Sequence, residues 1–507
     1  MTSKALRDNL ILFAICLLLS STFVLLFSFS TSPLYSNYFA YGGAYDSGDS
    51  LQFLTIGNSW RNGKVPYRDS FDHKGPFIFL VDMLGFLLGG ETRYGIVIIQ
   101  SIFLTISLFF VYKISELAIK NKFVGCLSVL ATLFFYSLSY VNGNSVQEYN
   151  LPFIVISTYF IVHFLSNYTK NKNRNCAHKP LQALFYGITV GICFCTQITN
   201  AILVCAGILL IIVNLIINKR YTNLRVNIIY GFIGLIITLT PFALYFALNG
   251  CFDDFIFGTL VYNIQYAKNI GSWLKGASAG EIVGFLTVFF SFTSVFITAI
   301  FAFYRKQYYY FAMLIFAGLL EGYLFLSAQC FSQYATLSLV QIPLLINEIC
   351  YSVKNNIASS PLAFVMAVVI VIMGYNQVTD DIFLVVHKYR DIKYAPAIGY
   401  EELIEPRLAD IKKNSFISYG DNNLKGVYLR YNIPINNKYF AIQEWHSSFS
   451  EVARDNIERD FISSSAKYVL FSTPEVSKNF SIYKFILDNY TKVDSNTSFS
   501  LYMKNDN

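Results

Sequence analysis

Polar and apolar positions along this chain alternate neither every second residue nor every third or fourth; they are sorted into long blocks. Leu181 to Asn218 contains no Asp, Glu, Lys or Arg. At about 1.5 Å of rise per residue and about 20 apolar residues per crossing, that block is two membrane spans. Runs of the same kind occur at 9–30, 94–112, 123–140, 151–167, 226–248, 281–303, 308–327, 333–352 and 358–379. The total is about eleven spans. The first run is too long for a removable signal peptide and lacks the small-residue cleavage site, so it reads as a retained anchor.

After about residue 388 the apolar blocks stop and charge becomes frequent. Here the pattern predicts a strand over 414–420, an amphipathic helix over 447–463, a strand over 467–472, a helix opened by Pro474 and running to 489, and a last strand over 498–504. Strands alternating with helices indicate a small α/β domain. The predicted fold class is therefore an α-helical polytopic membrane domain, residues 1–387, followed by a small soluble α/β domain, residues 388–507.

Composition agrees with the membrane reading: 54% of the 507 residues are hydrophobic and 14% charged. The net charge of +7 is unevenly placed. Lys4, Arg7, Lys120, Lys122, Lys170, Lys172, Arg174, Lys179, Lys219, Arg220, Arg225, Arg305, Lys306 and Lys354 all fall on one side if the spans alternate. The positive-inside rule makes that side the cytoplasm. The N-terminus is then inside a cell (inner) membrane, and 31–93, 249–280 and everything after about 380 are outside. Basic charge spent on topology in this way is no footprint for nucleic acid. The nine cysteines show no zinc spacing. Most read as small apolar filler, while Cys251 and Cys330, near the outer face, would be permitted a disulfide.

The chemistry concentrates in the first outer segment. Asp46, Asp49, Asp69, Asp72 and His73 share it with Arg61, Lys64, Arg68 and Lys74, among the rigid or aromatic Pro66, Tyr67, Phe71 and Gly75-Pro76. Charge kept at a membrane face is costly unless hydrated, paired or used. A solvated loop with internal ion pairs is the plainer reading of these residues. The alternative is a folded segment in which a carboxylate serves as general base and Lys74 or Arg68 holds a phosphate.

The run Gly63-Lys-Val-Pro-Tyr-Arg-Asp69 followed by Asp72-His-Lys-Gly-Pro76, with Asp49 upstream, resembles the C-type (GT-C) integral-membrane glycosyltransferases. It is most similar to the bacterial branch related to protein O-mannosyltransferases and the lipid A aminoarabinose transferase. The resemblance implies a polyprenyl-phosphate sugar donor, a glycan, lipid or protein acceptor outside the membrane, and transfer with inversion. It matches Asp49 to a first-loop acid that acts in catalysis or holds a divalent metal, with Asp46 in that place if the alignment shifts by three. It puts Lys74 at the donor phosphate with Arg68 and His73 nearby, and Asp69 and Asp72 in support. Glu148 matches an acid in the second outer loop, though a polar turn explains that segment equally well. Gln197 and Gln333-Tyr334 stand where relatives carry a basic residue and His-Tyr; an amide still hydrogen-bonds but cannot neutralise charge. Glu321 and Gln341, polar within apolar runs, either face a donor groove or pair between helices. No cofactor is implied beyond an optional metal.

Two other classes stay open at this point. A lipid-linked polysaccharide polymerase or ligase is expected to have an arginine-rich later outer loop, whereas 249–280 offers Lys268 and Lys275 beside Asp253 and Asp254. A polytopic transporter is expected to show broken helices in repeated halves.

Overall fold

Why the apolar blocks become helices follows from the bilayer, where a spanning segment must satisfy its own backbone. The computed structural model describes residues 3–28, 31–34, 48–117, 119–170, 177–269, 290–327, 331–354, 386, 399–420, 422–442, 444–464, 466–472 and 481–505. The membrane part consists of α1 (Ser3–Phe27), α2 (Gly48–Arg61), α3 (Pro76–Gly89), α4 (Tyr94–Ser115), α5 (Lys122–Ser139), α6 (Val146–Lys170), α7 (Pro180–Phe194), α8 (Ile202–Ile217), α9 (Tyr221–Leu248), α10 (Tyr262–Asn269), α11 (Phe290–Tyr304), α12 (Tyr308–Ser327) and α13 (Gln341–Lys354). Among the described residues six helical stretches, in α1, α4, α5, α6, α8 with its leading turn, and α9, are long and apolar enough to cross a membrane. Four shorter apolar helices accompany them. The protein is a multi-pass membrane protein.

Each predicted span from 9–30 to 333–352 coincides with helix; 358–379 lies outside the described residues, as does the start of 281–303. The run 333–352 is not one continuous α-helix. Ser332–Val340 is a 3₁₀ helix and α13 begins at Gln341. Pro343 explains the break, because its ring would collide with the carbonyl of an α-helical Leu339. Close helix packing uses small residues. A Cβ on Gly187 of α7 would sit 1.9 Å from the Gly231 carbonyl of α9, and one on Gly234 would sit 2.0 Å from the Leu184 carbonyl.

The first outer segment holds two helices that the hydropathy pattern does not announce. In α2, Ser50 through Gly57 are all buried, so no polar stripe marks a solvent face. Trp60 at its end donates to the Tyr245 hydroxyl of α9 at 2.7 Å, and the Arg61 guanidinium donates to the Phe86 carbonyl of α3 at 3.2 Å. α3 opens with Pro76, whose fixed φ suits a first helical turn.

The C-terminal part builds a five-stranded sheet in the order β2-β1-β3-β5-β4 from β1 (Phe416–Tyr419), β2 (Ala441–Ile442), β3 (Tyr468–Ser472), β4 (Tyr490–Ser495) and β5 (Phe499–Lys504). β1 runs parallel to β2 and β3, and β5 runs antiparallel to β3 and β4. The expected strands at 414–420, 467–472 and 498–504 are β1, β3 and β5; the expected helices appear as Glu451–Ser464 and Ser481–Asn489, with 473–480 outside the described residues. β4 goes unannounced because it is an edge strand with Thr491 and Lys492 exposed.

This sheet is fastened to the membrane part. The Phe71 N–H donates to the Lys438 carbonyl at 2.8 Å, Lys438 Nζ meets Asp254 at 2.6 Å, and the Tyr262 hydroxyl donates to the His446 carbonyl at 3.1 Å. Leu424, Val427 and Tyr428 enter the same apolar cluster as Phe53, Ile56 and Tyr67.

Candidate active site

The segment 63–76 is folded by its own turns. Asp69 accepts from the Val65 N–H at 2.7 Å and from the Arg68 guanidinium at 2.8 Å, which closes a tight loop. Tyr67 sits in the left-handed region at φ 67°. Its ring is wedged against Phe79, Phe246 and Phe255, and its hydroxyl donates to the Lys74 carbonyl at 2.6 Å. Asp72 accepts from the Lys74 N–H at 2.8 Å, and the Asn263 amide donates to the His73 carbonyl at 2.6 Å. Asn263 follows a π-helical turn, Phe257–Val261, an irregularity that re-aims side chains within a helix. Gly75 lies against the next segment: its N–H donates to the Thr196 carbonyl, and a Cβ there would fall 2.1 Å from Cys195 carbon. Asp72-His73-Lys74 is thereby locked beside the turn that carries Thr196 and Gln197.

These residues line one cavity of about 1260 Å³. The exposed Asp49, in the first turn of α2, lines it with Asp72, His73, Lys74, Gln197, Gln333 and Tyr334. Seven residues singled out in the sequence, from four separate segments, thus line one cavity. The buried Glu321 of α12 lines it too. Gln341 is buried away from it. The lining also includes apolar side chains, among them Ile198, Leu203, Leu260, Ile264, Leu324 and Leu337.

Three of the candidates are placed elsewhere. Arg68 is exposed and paired with Asp69, and neither lines the cavity; their sequence proximity to Lys74 ends at the turn between them. Glu148 is buried in the first turn of α6, where it accepts from the Asn144 N–H at 2.8 Å. It shapes the loop whose Asn144 and Gln147 reach the cavity, and Gln147 donates to Gln197 at 3.1 Å. Asp46 and Cys330 lie outside the described residues.

Electrostatics divides the titratable groups into roles. Burial, reinforced by the Asp49 charge, raises Asp72 to about 6, against the pull of the Lys74 N–H and the charges of Lys74 and Lys425. Burial first, then Lys74 and His446, hold His73 well below the usual histidine range, so the ring is neutral. Lys74 Nζ donates to His73 Nε2 at 3.2 Å. His73 therefore orients the Lys74 ammonium and adds no cation of its own. His446, from the C-terminal part, is likewise lowered to about 3 by burial and by Lys425 and Lys74.

The donor set suits an anion better than a metal. Among the described residues no group of three or more His, Cys, Asp and Glu gathers to hold an ion. The two carboxylates Asp49 and Asp72 line the same cavity as the amines of Lys74 and Lys425.

Sequence reading missed the contribution of the C-terminal part. Tyr419, Gly420, Lys425 and His446 all line the cavity. The available signal was the strand-then-glycine pattern Phe416-Ile-Ser-Tyr-Gly420, since ligands of parallel sheets gather beyond the carboxyl ends of strands.

Residues 6–372 match the family described as "Putative competence-induced protein Ccs4 N-terminal domain". No curated protein matches the sequence. Among solved structures the chain is similar to ArnT, the lipid A aminoarabinose transferase, of Cupriavidus metallidurans crystallised with undecaprenyl phosphate. The TM-score is 0.54 at 12% identity, over 97% of each chain. The apo form of the same protein aligns with a TM-score of 0.52 at 12% identity over 98% of each. The GT-C fold expected from the Asp72–Pro76 block is the observed one.

Proposed function

Since the chain belongs to the Ccs4 N-terminal domain family and carries the GT-C fold, we propose that it is a membrane glycosyltransferase. It moves a sugar from a polyprenyl-phosphate donor to an acceptor hydroxyl at the outer membrane face, on a glycolipid, polysaccharide or protein. The observation that carries this reading is the mixed lining of the cavity. Asp49, Asp72, Lys74 and Lys425 line it together with Ile198, Leu203, Leu260, Ile264, Leu324 and Leu337. A lipid-linked phosphate combines the same two characters: a charged head and a hydrocarbon tail that stays in the bilayer. ArnT, of the same fold, binds undecaprenyl phosphate.

In the proposed reaction Asp49 takes the acceptor's hydroxyl proton. The oxygen attacks the anomeric carbon, the bond from that carbon to the phosphate oxygen breaks, and polyprenyl phosphate leaves with the electron pair. The configuration inverts. Lys74, aimed by His73, stabilises the charge gathering on the leaving phosphate. Residues 1–387 form the transferase domain and 388–507 an outward domain that closes over it, in the N-inside orientation that the basic loops support.

The test is direct binding of undecaprenyl phosphate to the full-length protein in lipid nanodiscs, with undecaprenol as the phosphate-free control. Preference for the phosphate is expected, and Lys74→Ala should weaken it about tenfold or more, the worth of a charge-assisted hydrogen bond. Equal binding of both lipids by the wild-type protein would overturn the reading.

A further inference from the structure

Lys425 is an unusual lysine. It is 4% exposed, yet its side chain lines the cavity. It belongs to the 3₁₀ turn Asn422–Gly426, and its carbonyl accepts from the Thr55 hydroxyl of α2 at 3.4 Å, which ties the turn to the helix that begins with Asp49. Among the described residues its ammonium has no carboxylate within ion-pair distance; those of Asp49 and Asp72 influence it only from further off. A buried cation without a close counter-charge is costly. A lysine stem can usually carry its charge to water, but here the route it follows ends in the cavity.

The sheet gives a second, independent reason to expect a ligand there. Strand order β2-β1-β3, all parallel, means that the chain leaves β1 in one direction and returns past it to β3 in the other. The crevice beyond the carboxyl ends of β1 and β3 is the switch point at which such sheets bind ligands. Tyr419 ends β1 and Gly420 follows at φ 115°, where L side chains are strained; both line the cavity just ahead of the Lys425 turn.

We propose that Lys425 is a second phosphate ligand, supplied by the C-terminal domain, which grips the lipid-linked phosphate together with Lys74 and so makes that domain part of the binding site. The proposal rests on the glycosyltransferase reading for the nature of the anion. It assigns the sheet a role beyond capping: the site is complete only when the domain is seated on α2. It also accounts for a cavity whose amides at Gln197 and Gln333 cannot neutralise a phosphate.

Lys425→Met keeps the length and packing of the stem while removing the charge, and Lys425→Arg restores a cation. Each is compared with wild type and Lys74→Ala for binding of undecaprenyl phosphate and undecaprenol in nanodiscs, alongside thermal unfolding. The expected result is that Lys425→Met weakens phosphate-lipid binding about tenfold. Undecaprenol binding should stay as in wild type, the melting temperature should hold or rise because a costly buried charge is gone, and Lys425→Arg should recover much of the binding loss. If Lys425→Met bound like wild type while Lys74→Ala lost affinity, this proposal would fall and the glycosyltransferase reading would stand. If Lys425→Met lost both lipids and melted early, the residue would be structural and the proposal wrong. If wild type showed no preference for the phosphate, the reading and the proposal would fall together.

Discussion

Replacing Asp49 by Asn removes a proton acceptor at nearly constant size, from an exposed position at the start of α2. If Asp49 is the general base, Asp49→Asn lowers turnover by about two orders of magnitude or more. Binding of undecaprenyl phosphate and the yield of folded protein should stay close to wild type. Asp46→Asn is the companion measurement. Loss of transfer in that variant alone would move the base by three positions, and full activity in both would remove the first-segment carboxylates from the proposed mechanism. At this scale the site was partly legible. Asp72, His73 and Lys74 are contiguous, and their chemistry can be read from the chain without knowing its path. Lys425 could not be found that way, because it sits in an ordinary polar stretch, Asp421-Asn-Asn-Leu-Lys-Gly426, and gains its meaning only by packing on a helix far earlier in the sequence. Arg68 shows the converse: adjacency to Lys74 suggested a shared task, and the turn closed by Asp69 points it elsewhere.

Among the elements, the crossing of 72–76 over 195–197 is the tightest joint near the site. Gly75 has no room for a methyl group, since a Cβ would lie 2.1 Å and 2.3 Å from the Cys195 carbon and oxygen. Gly75→Ala must push the two backbones apart, and is expected to cost at least the ~1–3 kcal/mol typical of overpacking. It should also weaken phosphate-lipid binding, because Lys74 moves with the joint. Gly63→Ala is the contrasting case: its φ of 89° is strained for alanine, but the space is open, so a loss of about 1 kcal/mol is expected with binding retained. Thermal unfolding and lipid binding of the two variants check the pair. Long apolar blocks gave their helices away because the bilayer demands length. α2 and α3 did not, since α3 spans only Pro76–Gly89, short of the ~20 residues a crossing needs, and α2 is buried without a stripe.

For the whole molecule the open quantity is sidedness. By the positive-inside rule the basic loops predict the N-terminus inside and the sheet outside, and the cavity collects residues from both the segment before α4 and the C-terminal part. A reporter active only in the cytoplasm, fused after Asn507, should be silent, while one active only outside should be strong. The reverse pattern would separate Lys425 from the side on which a donor head group waits. The shared cavity also has a consequence in time. About 350 residues lie between Lys74 and Lys425, so at roughly 5–20 residues per second the ribosome delivers the second lysine roughly 20–70 s after the first. Throughout that interval the newborn chain has its carboxylate and one amine but lacks the second cation for a lipid phosphate. A chain stalled during export would hold its donor about tenfold more weakly, and the last part to arrive would act as a brake on early reaction.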